Sequence, residues 1–344
     1  MDKVFEKWHL GVTFGFRAKN GWFSSEEAKQ EAREIAASGA DWVVLVVTVF
    51  QEYSHSTVQF MDFEKTPDDI EVIEMIEYLH SLGLKVQLRP MLETLDGAGR
   101  MGIWFVNDDI EGKRIPGTAR TSWRDWFKSM TDRSVHYAKI AQKTDCEMYC
   151  LDSELDRTIG WNDYYKGVLK AVREVYSGCV TSCHTTHTPI IDYQKTLSDK
   201  NHWFYDLDLL SLSCYHPAAD KPNETKENMI KNYVSQLERF RDIYKVYGKP
   251  ILFGECGCTS STGGPMSPSS FTNNTEFNGA EQANYLSAVI ETFQGEEWWY
   301  GLYWWKWEEH IPRPISDKGF TLKGKPAIDI YKQWGAMPRK RNYK

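Results

Sequence analysis

The run from Trp42 to Phe50 (WVVLVVTVF) constrains this chain more than any other segment. It carries no charge, and its side chains do not alternate between apolar and polar. A β-branched run that is apolar on both faces belongs in a parallel sheet covered on both sides. The neighbouring segments supply that cover. Ser24 and Ser25 ahead of Glu26 and Glu27 start a helix that Gly39 closes. Thr66-Pro67-Asp68-Asp69 starts another, with Ile70, Ile73, Ile76 and Leu79 at helical spacing and an end near Gly83.

The same unit recurs along the chain. Strands are expected at 8–14, 42–50, 84–90, 147–153, 179–183, 208–214, 250–254 and 300–305. Further helices are expected over 122–144, 164–176, 224–247, 280–293 and 327–334. Eight strands alternating with helices predict an α/β chain with a parallel sheet and right-handed crossovers. Eight units favour a closed (β/α)8 TIM barrel over an open doubly wound sheet. A bare barrel takes about 250 residues, so residues 1–344 fit one catalytic domain with extended loops. Those loops, about 92–121, 184–205 and 257–279, follow strands 3, 5 and 7 and so fall on the C-terminal face. No G-x-G-x-x-G or P-loop follows a strand, which removes the nucleotide-binding alternative.

Composition excludes several partners. The net charge is −7, and basic residues cluster only at Arg339-Lys340-Arg341, so no nucleic-acid partner is expected. No apolar run is long enough to span a membrane, so no membrane partner is expected either. The N-terminus lacks a signal-type apolar stretch, and the expected location is the cytoplasm, or outside the cell only if a leader was removed. Of the 7 Cys, Cys146, Cys150, Cys179, Cys183 and Cys214 lie in or beside apolar runs and read as small core residues. Cys256-x-Cys258 lacks redox or zinc spacing. Aromatics make up 14%, which fits either a Trp-filled core or flat faces for stacking sugar rings.

In a barrel of this kind, polar residues at the C-terminal strand ends are the catalytic candidates. These are Arg89, Asp152, Glu154, His184, Tyr215, His216, Glu255, Trp305 and Trp307. Glu255 follows the buried run Pro250–Gly254, and Glu154 follows Cys150-Leu151-Asp152-Ser153. A carboxylate at such a place is costly unless the barrel mouth uses it. Ion-paired structural carboxylates are the competing reading. Asp152 reads as deeper and structural. Arg89 is placed to lend positive charge to Glu255, and Tyr215 to hydrogen-bond it; a structural ion pair and a rim aromatic are the alternatives. His184-x-x-His187 matches no metal-ligand spacing, so His184 reads as a sugar contact or as plain loop structure. No metal and no cofactor are expected.

These residues resemble a known family. The segments Cys146-Glu147-Met148-Tyr149-Cys150 before Glu154, Gly248-Lys249-Pro250-Ile251-Leu252-Phe253 before Glu255, and Gly301-Leu302-Tyr303-Trp304-Trp305-Lys306-Trp307 are similar to glycoside hydrolase family 113. Ser56-Thr57, Thr66-Pro67 and Gly83-Leu84-Lys85-Val86 fit as well, so the resemblance covers about residues 8 to 310. That family comprises β-mannanases within a large clan of retaining (β/α)8 glycosidases. The resemblance implies Glu154 as acid/base, Glu255 as nucleophile and Tyr215 as a hydrogen-bond donor to the nucleophile. Trp305 or Trp307 would floor the sugar at the cleavage point. Most of the clan has Asn directly before the acid/base, where it meets the sugar 2-hydroxyl; Ser153 stands there in this chain.

The leading expectation is therefore an endo-β-1,4-mannanase acting on β-mannan or manno-oligosaccharides by double displacement. An exo-acting β-mannosidase or oligosaccharidase is a close alternative. A non-catalytic glycan-binding barrel and a metal-dependent barrel enzyme belong to other classes. The paired glutamates count against the first, and the missing strand-end ligand set against the second.

Overall fold

The computed structural model describes residues 2–105, 118–185, 193–272, 275–308 and 317–337. His187 and the basic tail Arg339–Arg341 lie outside them. The strands are β1 (His9–Phe14), β2 (Trp42–Gln51), β3 (Lys85–Thr94), β4 (Met148–Ser153), β5 (Cys179–Thr185), β6 (Leu210–Cys214), β7 (Ile251–Cys256) and β8 (Trp299–Trp304). They close into a parallel barrel in sequence order, with β8 returning to β1 through His9 opposite Gly301. The helices are α1 (Asp2–Phe5), α2 (Glu26–Ala37), α3 (Asp69–Ser81), α4 (Thr118–Lys143), α5 (Asn162–Arg173), α6 (Tyr193–Ser198), α7 (Lys226–Val234), α8 (Leu237–Tyr247), α9 (Gly279–Phe293) and α10 (Ala327–Ala336).

Local chemistry accounts for the helix starts. The Ser25 side chain accepts from Ala28 N to cap α2. Asp68 and Glu71 form a reciprocal capping box on α3. Glu71 also accepts from the backbone N–H groups of Gly21 and Phe23, which ties the β1–α2 connection to α3.

Two apolar cores follow from the barrel's closure. Val43, Leu45 and Val47 of β2 face the helices, with Ile35, Val72, Ile76 and many aromatics. Trp42, Val44 and Val46 alternate inward, to Met91, Met148, Leu252 and Tyr303. Both faces of β2 are therefore buried, which is why its sequence shows no polar face. Val4 of α1 packs into the N-terminal end of the inner core. Its carbonyl accepts from His9 Nε2 at 2.6 Å, and His9 Nδ1 lies 2.9 Å from the Tyr303 hydroxyl. All seven cysteines are buried and free.

Two elements depart from expectation. β3 does not stop at Pro90 but runs on to Thr94 beside β2. Its ladder to β4 ends at Leu88, so the proline's missing N–H leaves no bond unmade on that side. Asp152 fills the gap by accepting from Leu92 N at 3.3 Å. The expected helix over 224–247 is two helices, α7 and α8, parted at Ser235-Gln236. The Ser235 hydroxyl donates to Asn232 O at 2.6 Å, a side-chain bond that competes with the helical ladder.

Candidate active site

Two irregularities in the sheet build the site. On β4, Met148 belongs to the inner core, while Tyr149 and Leu151 face the helices. Strict alternation would turn Asp152 inward and Ser153 outward. The register to β5 shifts between Cys150 and Ser153, and this extra residue reverses the two. Asp152 turns out to Arg133 of α4, with Oδ2 2.6 Å from Nη2. Ser153 turns in. Glu154 follows in the left-handed region at φ 57°, and its N–H donates to Cys183 O at 2.9 Å.

β7 repeats the device. Ile251 and Phe253 face the helices and Leu252 faces the bore, so alternation would send Glu255 outward. The register to β6 shifts where Leu212 pairs with Phe253 and Ser213 with Glu255. Glu255 therefore points inward. Gly254 makes room for this. A Cβ there would meet Ser211 Oγ at 1.8 Å and Cys183 Sγ at 3.1 Å.

Glu255 is 2% exposed and held by three donors. Arg89 Nη1 donates to Oε1 at 3.0 Å, the Ser153 hydroxyl donates to Oε1 at 2.5 Å, and the Tyr215 hydroxyl donates to Oε2 at 3.2 Å. Arg89 is itself fully enclosed. Its other N–H groups go to Gln87 Oε1 at 2.9 and 3.1 Å and to Gly254 O at 3.0 Å. A buried guanidinium of this kind stays charged and fixes its partner's orientation. Burial and the nearby Glu255 and Glu154 charges push the Tyr215 hydroxyl well above its ordinary pKa, so it remains a donor.

Glu154 meets a different environment. Burial pushes its carboxyl up and the Glu255 charge adds to this. Arg100 pulls it down, Asp156 raises it, and a Ser213 hydrogen bond lowers it; the balance is a pKa of about 7. Arg100 Nη2 lies 3.2 Å from Glu154 Oε2, and Nη1 pairs closely with Glu93. Two neighbouring carboxyl groups thus have contrasting partners: three donors on Glu255, and one arginine shared with Glu93 at Glu154.

The remaining candidates divide. Trp305 is 3% exposed, belongs to the inner core with Tyr215, and meets the Phe16 ring at 4.9 Å. Trp307 lies on the other side of the wall: its Nε1 donates to Glu31 of α2 at 2.7 Å, and it packs in the outer core. Strict alternation would put these two on one face; the chain departs from it past the end of β8, and Trp307 is corrected to a packing residue. His184 is also corrected. Cys183 takes the inward position on β5, so His184 turns outward, 3.1 Å from Ser182 Oγ and 3.5 Å from Asp156 Oδ1, with its ring against Trp203 and Phe204. Ser153, expected near a sugar hydroxyl, directs its hydroxyl at Glu255 instead. His216 has its ring near Phe240. Arg100 and Glu93 were not among the sequence candidates. The signal for Glu93 was the inward alternation Gln87, Arg89, Met91, Glu93, hidden by ending the strand at Pro90; for Arg100, on a loop, there was none. Among the described residues, no group of three or more His, Cys, Asp or Glu could hold a metal ion. Nor is any helix among them long and apolar enough to cross a membrane.

Comparison with known proteins bears on the family and the fold. The sequence model of Glycoside Hydrolase Family 113 matches residues 12–325. A solved GH113 β-1,4-mannanase is 29% identical with TM-score 0.82, over 96% of this chain and 100% of that one. The GH113 β-mannanase AaManA from Alicyclobacillus acidocaldarius, solved in complex with ManMIm, is 26% identical with TM-score 0.83, over 97% of this chain and 98% of that one. A β-D-glucuronidase from Dictyoglomus thermophilum shares the barrel fold at 15% identity and TM-score 0.60, over 97% of this chain and 52% of that one. A search of the curated proteins finds no match. With its barrel, its two inward glutamates and a family match along nearly its whole length, this chain belongs to glycoside hydrolase family 113.

Proposed function

We propose that the protein is a retaining endo-β-1,4-mannanase that cleaves β-mannan or manno-oligosaccharides, with Glu255 as nucleophile and Glu154 as acid/base. The observation that carries this is the opposition of the two carboxyl environments. Glu255 is held in place by donors from Arg89, Ser153 and Tyr215. Glu154, with a pKa of about 7, holds a proton that it can give up.

In the first displacement, a Glu255 oxygen forms a bond to the anomeric carbon while the glycosidic C–O bond breaks. The Glu154 proton goes to the departing oxygen. In the second, the Glu154 carboxylate takes a proton from water, the water oxygen bonds to the anomeric carbon, and the Glu255 ester bond breaks. Trp305 lines the floor of the sugar site. The β-1,4-mannanase and β-mannanase names of the similar solved structures support the substrate class.

Replacing Glu255 by Ala should lower kcat/KM on manno-oligosaccharides by about 10⁴-fold or more with the fold intact by circular dichroism. Near-normal turnover would remove the assignment. A slow-turnover 2-fluoromannoside should label Glu255, which peptide mass mapping would locate. Products from a reduced manno-hexaose separate the modes: internal cuts support the endo reading, and monosaccharide released first supports an exo enzyme.

A further inference from the structure

Arg100 reaches Glu154 from a loop that strand-end reasoning does not cover. The loop is pinned before it presents this side chain. Gly99 N donates to Thr94 Oγ1 at 2.8 Å, Asp96 accepts from Ala98 N at 3.0 Å and from Ser54 N at 2.8 Å, and Met101 O accepts from Arg157 Nε at 2.9 Å. The guanidinium then lies between two carboxylates, Glu93 on the inward face of β3 and Glu154 after β4. All three side chains are mostly enclosed, at 12%, 20% and 13% exposure.

We propose that Arg100 and Glu93 are positioning residues for the acid/base step: one guanidinium is shared between Glu154 and Glu93, and Glu93 limits the charge that Arg100 lends to Glu154. The proposal rests on the acid/base reading of Glu154. That role needs the carboxyl protonated in the first displacement and ionised in the second. An undivided arginine partner would depress a carboxyl by about 1–3 pH units and leave too little of the acid. With no cation, burial and Glu255 would leave too little of the base. The charged and hydroxylic groups around Glu154 among the described residues are Glu255 of β7, Asp156 after β4, Ser213 and Tyr215 from β6, and Arg100 with Glu93 behind it.

The test compares kcat/KM–pH profiles of the wild type, Arg100→Gln and Glu93→Gln, together with a ¹³C NMR titration of the Glu154 carboxyl. Arg100→Gln should move the alkaline limb and the Glu154 titration up, and Glu93→Gln should move both down, each by about half a unit or more. Arg100→Lys, which keeps the charge, should leave them near the wild-type position and serves if Arg100→Gln does not fold. Limbs that stay in place while kcat falls, or that move the same way in both variants, overturn the proposal. Glu154→Ala is run alongside. Ordinary activity in that variant overturns the acid/base assignment itself, and the proposal with it; loss of activity there, with unmoved limbs in the other variants, overturns the Arg100–Glu93 role alone.

Discussion

At the end of β7, Glu255 sits under three converging donors, one of them a fully buried guanidinium, while at the end of β4, Glu154 has half of one arginine and otherwise faces acids and hydroxyls. The side chain is the same and the strand device is the same. A register shift brings Ser153 inward just before Glu154 and turns Glu255 itself inward. What differs is the donor set: at Glu154, burial and the Glu255 charge push the carboxyl up to about 7, with a shared arginine opposing them. The field is supplied mainly by residues far away in sequence, Arg89 from β3 and Arg100 from the loop beyond it.

The contrast can be broken most severely from the Glu255 side. Arg89→Met should lower kcat/KM by about a hundredfold or more. It should also destabilise the fold by roughly 3–5 kcal/mol, because Glu255 is left as a buried, under-compensated charge. Denaturant midpoints and steady-state kinetics check both. Tyr215→Phe and Ser153→Ala each remove one donor to a charged acceptor, a loss of about 1.5–3 kcal/mol or roughly ten- to a hundredfold in kcat/KM. An unchanged rate in Ser153→Ala would show that Arg89 and Tyr215 suffice.

From the Glu154 side the contrast can be sharpened through stability. Burial and the Glu255 charge raise the pKa of Glu154 from its ordinary 4.5 to about 7. Between those values the folded state binds a proton that the unfolded state has released, so stability falls as pH rises through this window. Glu154→Gln removes that penalty. The variant should match the wild type near pH 4 and exceed it by roughly 1–3 kcal/mol above pH 7, read from urea melts across pH. The reverse trend would show that Glu154 is ionised and well paired in the fold. In the wild type, the alkaline limb of kcat/KM should fall near pH 7. The smallest effect is expected at Trp307→Phe, which loses the bond to Glu31 and some packing. Its cost should be about 1–2 kcal/mol of stability with kcat close to normal.

Much of the fold is legible in the sequence because short apolar-rich runs alternate regularly with helical ones, and the β2 run is apolar on both faces. β3 is cut short at Pro90 because a proline stops a strand only when its missing donor is needed, and need depends on where the β4 ladder ends. The helix over 224–247 reads as one because Met229, Tyr233, Leu237, Phe240 and Tyr247 keep a helical phase across the break at Ser235. At the site, a carboxylate straight after a buried run marks Glu154 and Glu255 as exceptional. Their direction is another matter: alternation counted from Ile251 points Glu255 away from the bore, and only the shift against β6 turns it in. Trp305 and Trp307 are alike in sequence context and are separated only by which wall each meets. Arg100 has no pattern of its own, since a loop residue acquires its partner from the path of the loop.

The base of the barrel bears on how a glycan meets this protein. Val4 and the His9–Tyr303 pair close that end, and the inner core fills the bore above it. A polysaccharide therefore cannot be threaded through the molecule. A substrate reaches the two glutamates only from the opposite, C-terminal end of the barrel. Under the proposed reaction, both fragments of a cut leave by that same end, and the water of the second displacement enters by it too.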